Sequence, residues 1–81
     1  MLFITLLSPK GKGKEAVNYL KKLKAPRGIK IQGVYFTMGR YDGIILFEAP
    51  DVKKAINFAA DLGFTTDYLA ETLTAIPAKE F

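Results

Sequence analysis

Arg40, Tyr41 and Asp42 stand in consecutive positions between Gly39 and Gly43, so the stretch GRYDG gathers a guanidinium, a phenol and a carboxylate. Such a set could form an active site or clamp a ligand, with Arg40 and Asp42 supplying charge. The same residues suit a tight turn. Gly39 can take a positive φ, and Asp42 can accept backbone N–H bonds across it. From residue chemistry, GRYDG is first the turn between two strand-like runs, VYFTM and IILF.

Other chemistries find less support. The chain has no histidine and no cysteine, which removes the commonest general base and metal ligands and the parts of Ser–His and Cys–His nucleophiles. Its carboxylates are scattered singly, so no metal site and no cofactor are expected. KGKGK (10–14) could hold a phosphate before a helix, but it lacks the G-x-x-x-x-G-K-[ST] spacing and reads as a lysine-rich loop. The third strand, GIILFEA, lacks the aromatic motif of RNA-recognition sheets, so nucleic acid is not an expected partner. Of the aromatics Tyr35, Phe36, Tyr41, Phe47 and Tyr68, the phenylalanines read as core. Tyr35 and Tyr41 are the better pocket candidates, because a buried hydroxyl needs a partner.

Eighty-one residues make one domain, 1–81, and a chain of this size buries only about 60 to 65% of the surface its unfolded form exposes. With 49% apolar residues, it carries more than a small monomer hides easily, which points to burial against another copy of itself. The absence of cysteine fits the cytoplasm. MLFITLL is too short for a membrane span and reads as a strand, so no membrane partner is expected. Residues 1–30 hold eight cations against Glu15, while 31–81 hold four against seven carboxylates. The basic excess reads as a solvated helix face.

The elements that would position GRYDG follow from periodicity. Leu2 to Leu7 is a continuously apolar strand, as if buried on both faces, with Pro9 and Gly11 ending it. Ala16, Val17, Leu20 and Leu23 repeat at helical spacing between Gly13 and Leu23. A second strand over Ile29 to Met38 is more polar and suits an edge, and a third, central strand spans Gly43 to Phe47. Asp51 is an N-cap for a helix with the stripe Val52, Ala55, Ile56, Ala59 and Leu62, and Gly63 is its stop. A last strand runs from about Thr66 to Ala75. The order βαββαβ predicts an α+β ferredoxin-like fold: a four-stranded antiparallel sheet, strands one and three central, and two helices on one face.

Along the third strand, Asp42, Ile44, Leu46 and Glu48 point one way and Gly43, Ile45, Phe47 and Ala49 the other. An unpaired carboxylate beneath the helices would cost several kcal/mol, so the even set should face away from them. The uncovered face is then partly apolar, with a carboxylate at either end, and two such faces would pack together around a cleft.

YFTMGRYDGIILFEAPD, followed by a helix, Leu62-Gly63 and ETLTAIPAKEF, resembles the GYD domain family, whose glycine, tyrosine and aspartate are here Gly39, Tyr41 and Asp42. The likeness includes Thr37 to Gly39, Glu48 to Asp51 and Thr72 to Ala75, and covers about residues 33–81. It implies a ferredoxin-like domain that dimerises through its sheets, related in shape to dimeric α/β barrels, in a family largely without an assigned function. The G-x-Y-D hairpin is also similar to the effector-binding domain of Lrp/AsnC regulators, which bind amino acids near the corresponding hairpin at subunit interfaces. The helix-turn-helix segment of those regulators is absent here.

The reading that unites these features is a small homo-oligomeric domain that binds a small metabolite in a cleft at the subunit interface. Tyr35, Thr37, Gly39, Arg40, Tyr41, Asp42 and Glu48 are its candidate ligand contacts. One rival is a metal- and haem-free enzyme of the dimeric α/β barrel type, an isomerase or cofactor-independent oxygenase, with Glu48 or Asp42 as base. The other is a domain that serves assembly only.

Overall fold

The computed structural model describes residues 1–9, 13–65 and 68–81. Its elements are β1 (Leu2–Pro9), α1 (Gly13–Lys21), β2 (Lys30–Phe36), β3 (Gly43–Glu48), α2 (Val52–Thr65) and β4 (Tyr68–Ala75), followed by a 3-10 turn, Ala78–Glu80. The strands form one antiparallel sheet in the order β2-β3-β1-β4. This is the expected ferredoxin-like α+β fold, with β1 and β3 central.

Alternation along the central strands builds the core. Phe3, Thr5 and Leu7 of β1 and Ile45 and Phe47 of β3 are buried on the helical side, where they meet Leu20 of α1 and Ala55, Phe58 and Leu62 of α2. Phe3 and Phe47 are direct cross-strand partners whose rings stack at 5.5 Å, and Phe58 meets Phe47 edge-on at 4.8 Å. Burying each of these rings is worth about 1.5–3 kcal/mol. Thr5 is the buried polar residue among them, and its hydroxyl shares a 2.8 Å hydrogen bond with that of Thr72 on β4. The odd-numbered side of β3 is the helix-covered side, as the position of Glu48 required.

Several boundaries and faces differ from expectation. β1 continues to Pro9 and is buried on one face; Leu2, Ile4 and Leu6 are half-covered on the other, because no helix lies there. α1 ends at Lys21, and Leu23 packs against the core from the segment that follows. β2 is shorter, Lys30–Phe36, with a bulge between Ile31 and Gly33, and Phe36 is 49% exposed at its end, on the sheet's edge. Asp51 caps α2, its Oδ1 accepting the Lys54 N–H at 2.8 Å. Gly63 does not stop the helix: it lacks the positive φ of a left-handed cap, and α2 runs on to Thr65. The buried stripe of α2 is Ala55, Phe58 and Leu62, while Val52 and Ile56 lie on its outer side. The KGKGK segment lies mostly outside the described residues, as does the expected start of the last strand at Thr66.

Candidate functional site

The turn between β2 and β3 is closed by its own residues. The Thr37 N–H donates to the Asp42 carbonyl at 2.9 Å, and the Thr37 hydroxyl donates to the Tyr41 carbonyl at 2.6 Å. The acceptor at Asp42 is thus its main-chain oxygen, and the side chain that secures the turn is Thr37. Gly39 has φ +134° with open space where a Cβ would stand, so conformation rather than crowding requires glycine there. The Asp42 N–H donates to the Leu7 carbonyl at 2.8 Å, and the Ser8 hydroxyl donates to the Arg40 carbonyl at 3.4 Å. These bonds tie the hairpin to the end of β1.

From this base Tyr41 reaches past β1 to β4, where its hydroxyl donates to Glu71 Oε2 at 2.9 Å. The bond to Glu71 raises the Tyr41 pKa above its ordinary value, helped by burial and by the Glu71 charge, while Arg40 pulls it back. Ser8, Arg40, Tyr41, Leu69, Ala70 and Glu71 line an open cavity of about 460 Å³ at this end of the sheet. It offers a guanidinium, a carboxylate and two hydroxyls beside the apolar Leu69.

The remaining expected contacts are spread along the sheet. Tyr35 is opposite Ile44 on the face without helices, and its ring lies over Gly33, where a Cβ would stand 2.7–2.9 Å from ring and hydroxyl atoms. A side chain at position 33 would require that exposed ring to swing aside. Glu48 lies at the other end of β3, opposite Leu2 and Lys30, and accepts a 2.7 Å bond from the Gln32 amide. Six residues of strand put it roughly 20 Å from Asp42 at ~3.3 Å each. Thr37, Gly39, Arg40, Tyr41 and Asp42 therefore form one cluster, Tyr35 flanks it on the edge strand, and Glu48 belongs to a separate polar group with Gln32.

Glu71, Ser8 and Gln32 were not anticipated. The signal for Glu71 was its place on the alternating strand ETLTA, but only the register Glu71↔Leu6↔Ile44 shows that it shares the face and the end to which Tyr41 turns. Between the two ends this face is apolar: Leu2, Ile4, Leu6, Ile44 and Leu46 are half-covered, and Leu69 and Leu73 are 57% and 44% exposed. Among the described residues no group of three potential ligands could hold a metal ion, and no helix is long and apolar enough to cross a membrane.

A family model described as the GYD domain matches residues 5–81. The match takes in β1 from Thr5 onward and α1, as well as the hairpin and the second half of the chain. No curated protein and no solved structure matches the sequence.

Proposed function

Since the chain belongs to the GYD domain family, we propose that it works as a homo-oligomer whose sheets pair through their helix-free faces and hold a small metabolite in the cleft between them. The observation that carries this reading is the apolar face itself, with Leu2, Ile4, Leu6, Ile44, Leu46, Leu69 and Leu73 on a surface no helix covers. Four strands about 4.8 Å apart and seven residues long span roughly 19 by 23 Å. Side-chain relief raises that footprint toward the ~800 Å² per partner of a standard interface. A second copy of the same face supplies the matching apolar surface.

The cavity at the hairpin end is the ligand site of this reading. Arg40 suits a carboxyl group and Glu71 an amino group, through charge-assisted hydrogen bonds, and Tyr41 is held between them. Leu69 and the partner's sheet would exclude water. The test is a thermal-shift screen of the purified protein against pools of amino- and carboxyl-bearing metabolites, repeated with Arg40→Ala and Glu71→Gln. A pool that raises the melting temperature of the wild type and not of the variants supports the site. No shift with any pool sinks the binding reading.

A further inference from the structure

The fold concentrates positive charge in a way the linear sequence does not show. The α1–β2 connection and the start of α2 lie at the same end of the sheet, because β2 begins at Lys30 opposite Glu48, where β3 ends. The two segments touch: the Lys54 side chain lies 3.8 Å from where a Cβ on Gly28 would stand, and Gly28 turns the chain there with φ +89°. Residues 21–30 and 48–54 hold seven cations and two carboxylates, net +5, and the rest of the chain holds five and six, net −1. This one end thus carries more than the whole excess of +4. All seven cations are exposed. Both carboxylates already have hydrogen bonds, Glu48 from Gln32 and Asp51 from the α2 backbone.

Folding favours only part of this arrangement: Lys21 stands in the last turn of α1, where the helix dipole suits a cation, and Lys30 is opposite Glu48. The first turn of α2 carries Lys53 and Lys54 and no acidic residue, although a helix N-terminus favours negative charge. Val52 and Ile56, 45% and 59% exposed, flank Lys53 on the outer side of that helix. That side faces away from the sheet, so pairing of the open sheet faces leaves it uncovered. Nearby, Asn18, Tyr19, Lys22, Leu23 and Lys24 line a cavity of about 430 Å³ that again sets apolar side chains between lysines.

We propose that this end of the molecule is a docking surface for a membrane rich in anionic lipid. A nucleic acid would account for the cations, but a single strand also seeks aromatic stacking platforms; the aromatic at this end, Tyr19, is partly buried against the core, and what flanks Lys53 is aliphatic. A lipid surface takes both: anionic headgroups attract the lysines, and Val52 and Ile56 enter the headgroup boundary. The chain lies on such a surface rather than crossing it. This surface is independent of the metabolite cleft.

The experiment is cosedimentation of the full chain with phosphatidylcholine vesicles and with vesicles also containing phosphatidylglycerol, beside a single-stranded oligonucleotide in the same buffer. The expected result is binding to the anionic vesicles, weakened by salt, and none to phosphatidylcholine. Lys53→Glu with Lys54→Glu should lower the partition by about tenfold or more, since each basic residue near the surface contributes of the order of 1 kcal/mol. Val52→Ser with Ile56→Ser should lower it several-fold at unchanged charge. All four positions are exposed, and thermal melting checks that the variants fold. Failure of the wild type to bind anionic vesicles overturns the proposal, as does undiminished vesicle binding by the serine variant. Capture of the oligonucleotide without vesicle binding overturns it in favour of a nucleic-acid partner.

Discussion

The two faces of the sheet are cut from the same strands and are almost equally apolar, yet only one of them is covered by helices. On β1 and β3, Phe3, Leu7, Ile45 and Phe47 face the helices and are 2% exposed or less, whereas Leu2, Ile4, Leu6, Ile44 and Leu46 face the other way and are only half-covered. Hydrophobicity does not distinguish the sets. Chain connectivity does: both crossovers, β1-α1-β2 and β3-α2-β4, place their helix on the same side when they take the usual right hand. One face thereby becomes the core of the folded chain, and the other is left without a helix over its apolar side chains.

Exchanging a large side chain on each face distinguishes the two. Phe47→Ala should remove about 3–5 kcal/mol of folding stability, read as a lower denaturant midpoint, because the ring contacts both Phe3 and Phe58. Leu46→Asp, its neighbour on the open face, should leave the fold intact and move the protein to the monomer position in size-exclusion chromatography. If Leu46→Asp unfolds the chain as readily as Phe47→Ala, the two faces are not distinct. A smaller effect is expected at the polar pair formed by buried Thr5 and partly buried Thr72. Thr5→Val strands the Thr72 hydroxyl and should cost about 1–3 kcal/mol. Thr5→Val with Thr72→Val should recover much of it, whereas equal losses in the single and double variants would show that the hydroxyls do not depend on each other.

The fold was largely legible in the sequence because its signals are local. Alternation in β3, the Asp51 cap and the turn at Gly39 each act within a few residues. The misplaced features depend on what lies across space. Val52 and Ile56 fit a helical stripe as well as Phe58 does, and only the position of the sheet selects Ala55, Phe58 and Leu62 as the buried side. Gly63 resembles a stop signal, but its helical conformation lets α2 run one further half-turn. The candidate site was half legible for the same reason. Residues 37–42 are contiguous and were found together, whereas Glu48 belongs to the opposite end of a strand. Glu71, thirty positions from Tyr41, joins it only through the registry of β4 on β1.

That long-range bond gives the smallest predicted effect and bears on how the open face ends. Glu71 raises the Tyr41 pKa above its ordinary 10.0, first by accepting the phenolic hydrogen bond and then by its charge. A raised value means the folded protein prefers the neutral phenol. The resulting stabilisation is complete below pH 10 and is lost as the pH rises through the folded value above it. In the wild type, the ultraviolet tyrosinate band followed with pH should therefore contain a late step, above pH 10, that belongs to Tyr41. Glu71→Gln removes the charged acceptor and leaves Arg40, which favours the phenolate, so the late step should move to lower pH. Tyr41→Phe should abolish the late step. Superimposable curves for wild type and Glu71→Gln would mean that the hairpin and β4 are not joined in solution. The open face would then end in two independent polar groups rather than one built rim.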